Sequence, residues 1–138
     1  MTQPDFRLDP IGILHSGLTD LAAAPRQGAE GAPNAQLELD AALADGLTGI
    51  SVGDEVIVIT WLHKAQRDTL QVHPRNDQAA PLSGVFATRS PARPNPLGLH
   101  RVTVLAIDGT HLEIGPIEAI DGTPVVDIRP VFGPLPDS

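Results

Sequence analysis

The side chains best suited to hold a ligand lie in residues 84–99, which read GVFATRSPARPNPLGL. Charged and polar groups alternate there with prolines, in the order Arg89, Ser90, Pro91, Arg93, Pro94, Asn95 and Pro96. Because proline fixes φ and has no N–H donor, this stretch predicts a rigid, extended loop. Guanidinium groups bind carboxylates, phosphates and planar rings through paired donors. The stretch therefore predicts a loop that binds an anionic or planar ligand, and a stiff crossover with solvated arginines is an equally good alternative.

A second candidate group is Asp127, which stands in the otherwise apolar run VVDIRP at residues 125–130. A carboxylate in such a run must be paired or must face a ligand, because burial of an unpaired charge is costly. We favour pairing with Arg129, Arg89 or Arg93, and contact with a ligand is the alternative.

Several kinds of chemistry are missing from the sequence. It contains no glycine-rich dinucleotide fingerprint, no phosphate loop and no nucleophile elbow. It has no cysteine, which excludes disulfides, thiolate metal sites and a cysteine nucleophile, and which fits a cytoplasmic protein. The five histidines lack metal-ligand spacing, so we expect no metal.

The charge of the chain is unevenly distributed. The net charge of −8 argues against a generic nucleic-acid binder, which is normally basic. Residues 61–105, however, hold six basic residues against two acidic ones, a net charge of +4, which leaves −12 for the rest. This basic window could attract phosphate groups, or its arginines could pair with acidic neighbours in the fold.

The elements that must position these groups read mainly as short strands. Seven are predicted, at residues 10–15, 36–40, 55–62, 69–73, 101–107, 110–114 and 123–130. The run at 55–62 is β-branched at most positions and should be central and covered on both faces. Asp108-Gly109 predicts a hairpin turn, residues 41–46 predict one helical turn, and residues 16–35 predict a long loop.

The length and composition predict a single all-β domain over residues 1–138, a barrel or a sandwich, with 14 prolines and 13 glycines in its turns. No apolar run is long enough to span a membrane, and residues 1–5 do not resemble a signal peptide. We therefore expect a cytoplasmic protein. The tail from residue 131 should lie extended on the surface.

Two long motifs resemble the TrmO (TsaA-like, YaeB) family. They are residues 84–98 (GVFATRSPARPNPLG) and residues 121–130 (DGTPVVDIRP), and the earlier residues 25–27 (PRQ) and 11–12 (IG) also match. The resemblance covers roughly residues 10–130. It implies a small non-Rossmann β-barrel that binds S-adenosyl-L-methionine and works as a homodimer in tRNA modification. The methyl acceptor that it implies is N6 of threonylcarbamoyl-adenosine next to the tRNA anticodon.

The resemblance also implies site residues. Those assigned to the cofactor are Pro25, Arg26, Gln27, Phe86, Arg89, Ser90, Arg93, Asp121, Thr123 and Pro124. An arginine among them would hold the cofactor carboxylate, and Phe86 with Leu97 would offer its adenine an apolar slot. Methylation of an exocyclic amine also needs a proton acceptor, for which the candidates are Asp127, Asp121 and, as an outside candidate, His63.

Two other functions remain open. The chain could be a methyltransferase of the same fold that acts on a small molecule or another nucleoside, or a non-catalytic module that binds S-adenosyl-L-methionine. Residues 50–55 lack the aromatic, histidine-bearing run of the family, and only 3% of the residues are aromatic. Aromatic rings are a main means of holding the bases of RNA loops, so this departure keeps both alternatives open.

Overall fold

The computed structural model describes residues 6–17, 33–74 and 77–132. Its strands in chain order are β1 Gly12–His15, β2 Ala35–Leu39, β3 Glu55–Trp61, β4 Gln71–Val72, β5 Ser83–Gly84, β6 Leu97–Asp108, β7 His111–Gly115 and β8 Pro124–Pro130. Two short 3₁₀ helices, Ala41–Leu47 and Val85–Ala87, complete the regular structure of the described residues.

Six of the strands form a closed antiparallel barrel in the order β1-β2-β7-β6-β3-β8. The all-β barrel expected from the sequence is therefore confirmed. The described residues form eight strands where seven were predicted: β4 lies within the strand predicted at residues 69–73, and the additional strand is β5, which pairs with β4 in a separate two-stranded sheet.

The barrel interior is filled by alternate residues of each strand, as the two-residue period of a strand requires. In β3 the side chains of Val56, Val58 and Thr60 are buried inside, whereas Ile57, Ile59 and Trp61 alternate with them on the outer wall. That outer row is only partly buried, so the expectation that β3 would be covered on both faces was wrong within the described residues. A closed barrel has a single layer, and its β-branched strands therefore need only one buried face.

Two local predictions from turn chemistry are confirmed with small changes. Asp108 ends β6, and Gly109, at φ 62°, makes the turn into β7. The helical turn predicted at residues 41–46 is the 3₁₀ helix Ala41–Leu47, which begins where the Asp40 side chain accepts a hydrogen bond from the Ala42 N–H at 3.0 Å.

One end of the barrel carries the long connections. We call it the site end: β1, β3 and β7 finish there, and β2, β6 and β8 begin there. Residues 62–96 connect β3 to β6 at this end, and residues 116–123 connect β7 to β8. Ile117, Ala119 and Ile120 of the second connection are buried, so this segment closes the barrel interior at the site end.

Candidate functional site

A small cleft, which we call the pocket, lies at the site end of the barrel, and its enclosed volume is about 20 Å³. Its lining comes from the two connections just described: Leu62, His63, Lys64, Ala65, Glu118, Ala119, Ile120 and Thr123. Half of these side chains are aliphatic, and the polar remainder includes one ammonium group and one carboxylate. Such a lining suits a ligand that has an apolar or aromatic body and carries charge.

The charged groups of the pocket differ in burial. The side chains of His63 and Lys64 are exposed, whereas Glu118 is partly buried and its Oε2 atom is fully buried. A carboxylate in such surroundings interacts more strongly with a cation than it would in water, because the local dielectric constant is lower. The pocket can therefore attract a cationic group at Glu118 and an anionic group at Lys64.

The turn at residues 121–124 joins β8 to the neighbouring strand β1. Gly122, at φ 86°, donates its N–H to the Leu14 carbonyl at 2.8 Å, and the Asp121 Oδ1 atom accepts the Ser16 N–H at 3.0 Å. The buried Thr123 hydroxyl donates to the Ile120 carbonyl at 2.7 Å. These bonds fix the rim of the pocket, of which Ile120 and Thr123 are part.

The motif at residues 84–98 contains an extended loop that docks beside the pocket. We call residues 88–96 the proline loop. Its Pro96 carbonyl accepts the Leu62 N–H at 2.8 Å, and its Arg93 N–H donates to the Gln66 carbonyl at 3.0 Å. Leu62 also lines the pocket, so the pocket wall and the proline loop share one residue.

The chain is also similar in sequence to a known protein family. Residues 13–136 match the family described as tRNA-methyltransferase O N-terminal domain, which is nearly the whole chain. The chain belongs to this family. The TrmO resemblance carried by the proline loop and by residues 121–130 is thereby confirmed.

Known proteins are similar to this chain over different shares of their own length. A protein of Archaeoglobus fulgidus named "Probable S-adenosyl-L-methionine-binding protein" is 41% identical over 124 residues, which are 90% of this chain and 33% of that protein. Another A. fulgidus protein, named "S-adenosyl-L-methionine-binding protein", is 39% identical over 88% of this chain and 86% of its own length. The crystal structure of TrmO from Pseudomonas aeruginosa has a TM-score of 0.74 and 29% identity, covering 95% of this chain and 56% of that one. The chain thus spans a third of the first relative and just over half of the crystallised TrmO chain.

The two arginines assigned from the TrmO motif have different surroundings. Arg93 is partly buried, and its Nη1 atom donates to the carbonyls of Thr88 at 3.0 Å and Ser90 at 3.1 Å. Arg89 is exposed, and its guanidinium has no hydrogen bond or ion pair within the part of the chain that the structure describes. Arg93 therefore shapes the proline loop, and Arg89 is the arginine of this loop whose donors remain available to a ligand.

Other assigned residues lie away from the pocket lining. Phe86 is 78% exposed and Leu97 is 40% exposed, so an apolar slot between them would need a further surface to close it. Asp127 lies on the outer wall beside Ile59, where it accepts a hydrogen bond from Arg129 Nε at 3.3 Å. The pairing that we favoured for Asp127 is confirmed with Arg129. The assigned residues Pro25, Arg26 and Gln27 lie outside the described residues.

Sequence reasoning did not single out Glu118 or assign a role to Lys64. Lys64 was only one of six cations in the basic window, and Glu118 stands in the plain segment PIEAI at residues 116–120. The one available signal was that Glu118 interrupts an apolar run, as Asp127 does. The two residues meet at the pocket only because β3 and β8 are neighbours in the barrel.

A buried polar pair lies inside the barrel near the same end. The His100 Nε2 atom and the Thr60 hydroxyl are 2.8 Å apart, and burial lowers the pKa of His100 to about 4. A neutral imidazole therefore stands beside Thr60 at ordinary pH, where it satisfies that buried hydroxyl.

Among residues 6–17, 33–74 and 77–132, no group of three or more His, Asp or Glu side chains is arranged to hold a metal ion. In the same ranges, no helix has both the length and the apolar character needed to cross a bilayer.

Proposed function

We propose that this chain binds S-adenosyl-L-methionine at the site end of its barrel and transfers the methyl group to a nitrogen of a tRNA nucleoside. The observation that carries the proposal is the lining of the pocket, which combines aliphatic side chains with Lys64 and Glu118. Membership of the TrmO family and the names of the relatives, which are called S-adenosyl-L-methionine-binding proteins, support this cofactor. The substrate that the family resemblance implies is N6 of threonylcarbamoyl-adenosine.

The residues present fit the chemical groups of this cofactor. Its adenine requires an apolar surface, which Leu62, Ala119 and Ile120 can supply. Its amino-acid carboxylate requires a cation, for which Lys64 and the exposed Arg89 are suitable. Its ammonium and sulfonium groups are cationic, and the carboxylate of Glu118 would favour either of them.

The reaction needs a methyl donor, an aligned nitrogen and a proton acceptor. Bound S-adenosyl-L-methionine supplies an electrophilic methyl group, and the nitrogen that accepts this group must release a proton. We propose two proton acceptors at the pocket. His63 is part of its lining, and Asp121 directly follows the lining residue Ile120. Asp127 stays a candidate if the acceptor nucleoside, or a second subunit, reaches the outer wall.

The alternative is a methyl acceptor other than tRNA, either a small molecule or another nucleoside. It is favoured by the engagement of the basic window within the fold, since Arg67, Arg93 and Arg101 all donate hydrogen bonds to other residues of the chain. Among the described residues near the pocket, Lys64 and Arg89 are then the exposed cations proposed for phosphate groups.

The proposed homodimer has a suitable surface on the outer wall of β3 and β6. Ile59 lies opposite Leu99, which is 50% exposed, and Trp61 lies opposite Leu97, which is 40% exposed. The pairs Arg101–Glu55 and Arg129–Asp127 border this apolar row, so the surface carries both signs of charge and could be complementary to a second copy of itself. Leu99→Glu is expected to convert a dimer into a monomer in light-scattering measurements, and an unchanged mass would exclude this wall as the interface.

Isothermal titration calorimetry with S-adenosyl-L-methionine tests the cofactor. Lys64→Ala should raise Kd about tenfold to a hundredfold, because a charge-assisted hydrogen bond contributes about 1.5–3 kcal/mol. Glu118→Gln should weaken binding similarly, whereas Arg7→Ala, in an exposed ion pair before β1, should not. Absence of heat with the unaltered chain would reject the cofactor.

Transfer of a labelled methyl group tests the substrate. We expect label in tRNA taken from cells that lack this protein, and mass spectrometry of the nucleosides should locate it at N6 of threonylcarbamoyl-adenosine. Label in a small-molecule fraction instead would support the alternative. Tight cofactor binding without transfer to either pool would indicate the non-catalytic binding module. The cytoplasmic location expected from the sequence belongs to the same proposal.

A further inference from the structure

Trp61, at the end of β3, is the only tryptophan of the chain and is partly buried. The guanidinium carbon of Arg67 lies 5.0 Å from the centroid of its ring, which is within the range of a cation–π contact. The same guanidinium donates from Nε to the Pro94 carbonyl at 2.7 Å and from Nη2 to the Asn95 Oδ1 atom at 3.2 Å. We call these three contacts of Arg67 the Arg67 bridge.

The proline loop depends on donors from outside because of its own composition. Pro91, Pro94 and Pro96 have no N–H, so the loop cannot build a regular ladder of backbone hydrogen bonds. Two backbone bonds hold it to residues 62–66, those between Leu62 N–H and the Pro96 carbonyl and between Arg93 N–H and the Gln66 carbonyl. The Arg67 bridge adds the side-chain attachment between them, at Pro94 and Asn95.

Only arginine can make all three contacts at once. Its planar group stacks on a ring with one face while its edge donates two hydrogen bonds in fixed directions. A lysine at this position would keep the charge but would lose the stacked plane and one of the paired donors.

We propose that Arg67 is a positioning residue that holds the proline loop against the end of β3, with Trp61 as its support. Arg67 is not part of the pocket lining, so it acts on the pocket through the proline loop and through Leu62, which touches both. The effect on cofactor affinity rests on the function proposed above; the effect on the loop does not.

Amide hydrogen exchange of the full chain, measured by NMR, tests the loop directly. Arg67→Ala should speed exchange at the Arg93 and Leu62 amides about tenfold or more, and Arg67→Lys should do so to a smaller extent. The amides of Leu14 and Val104, which donate to the carbonyls of Thr123 and Asp54, should keep their rates and so exclude general destabilisation. Unchanged exchange at Arg93 and Leu62 in Arg67→Ala would overturn the proposal, as would equal acceleration at all four amides.

Two spectroscopic and substitution controls sharpen the test. Since Trp61 is the only tryptophan, its emission should shift to longer wavelength in Arg67→Ala, where the covering guanidinium is gone. Trp61→Phe keeps an aromatic ring and should leave the amide hydrogen exchange of Arg93 near its rate in the unaltered chain. Trp61→Leu should accelerate that exchange. Equal rates in Trp61→Phe and Trp61→Leu would show that the ring does not support Arg67.

Calorimetry with S-adenosyl-L-methionine separates this inference from the proposed function. If the unaltered chain binds the cofactor, Arg67→Ala should raise Kd about tenfold. The Kd of Arg67→Lys should lie between those of the unaltered chain and Arg67→Ala. If the unaltered chain binds none, the proposed function fails, while the exchange data still decide whether Arg67 holds the loop. If the chain binds and Arg67→Ala binds equally well despite a mobile loop, the link from Arg67 to the pocket is refuted.

Discussion

One contact that is sensitive to a single methyl group lies at Gly98, where β6 passes the pair formed by Thr60 and His100. A Cβ atom added to Gly98 would overlap the Thr60 hydroxyl and would lie 2.6 Å from His100 Nε2 and 3.1 Å from Leu62 Cδ2. Gly98 is not among the glycines with positive φ, so the backbone itself would accept alanine. Gly98→Ala therefore tests packing alone.

The expected cost has two parts. Forcing an extra methyl group into a filled interior costs about 1–3 kcal/mol. Displacing His100 from Thr60 would leave buried polar groups without their 2.8 Å hydrogen bond, which costs about 1–3 kcal/mol more. We therefore expect Gly98→Ala to lower the free energy of unfolding by about 2–6 kcal/mol and to lower Tm by roughly 10–20 °C.

Urea and thermal unfolding followed by circular dichroism measure this cost. Gly46→Ala is the matched control, since Gly46 has no atom within 4 Å of an added Cβ and lies in the 3₁₀ helix Ala41–Leu47. It should change stability by less than about 1 kcal/mol. In a Thr60→Ala background the Gly98→Ala cost should shrink, because the overlapping hydroxyl is gone. A Gly98→Ala protein as stable as the Gly46→Ala control would refute this account of the barrel mouth.

Three further predictions concern single ionisable groups. Because burial lowers the pKa of His100 from 6.5 to about 4, the unfolded chain takes up a proton first as the pH falls. The free energy of unfolding should thus decline by about 3 kcal/mol between pH 6.5 and 4, and urea titrations should show this loss in His111→Gln but not in His100→Gln. The hydrogen bond and charge of Arg101 lower the pKa of Glu55, so Arg101→Gln should raise that pKa toward 4.5 in an NMR carboxyl titration; no rise would mean that the pair does not persist in solution. Asp127→Asn should leave S-adenosyl-L-methionine affinity unchanged and should slow methyl transfer, and an unimpaired rate would remove Asp127 as the proton acceptor.

The fold could be predicted from the sequence because its determinants are local. The Asp108-Gly109 turn, the β-branched run of β3 and the spacing of prolines all act within a few residues, and they indicated strands, turns and an all-β barrel or sandwich. The choice of a barrel came from the family resemblance. The pairing of β4 with β5 outside the barrel was not predictable in this way. Gln71 and Ser83 begin strands of two residues each, which are too short to show a period.

The site could be predicted only in part, for a related reason. A motif rich in proline and glycine reports where the backbone is constrained, and Gly122 and the proline loop are such places. Pocket chemistry, in contrast, depends on which side chains the barrel brings together across long sequence separations. Lys64 and Glu118 are 54 positions apart and carry no local signal of their partnership.

The arginines near the proline loop fall into two groups: some bind the loop, and others have donors available to a ligand. Three residues of the proline loop have no N–H, and the guanidinium groups of Arg67 and Arg93 donate to its carbonyls. The guanidinium of Arg89 makes no such bond within the described residues and is available to a ligand. A count of basic residues in residues 61–105 therefore overstates the positive charge offered to a substrate. Within the described residues, we therefore expect an anionic partner at the site end to be bound by Arg89 and Lys64, while Arg67 and Arg93 hold the proline loop that carries Arg89.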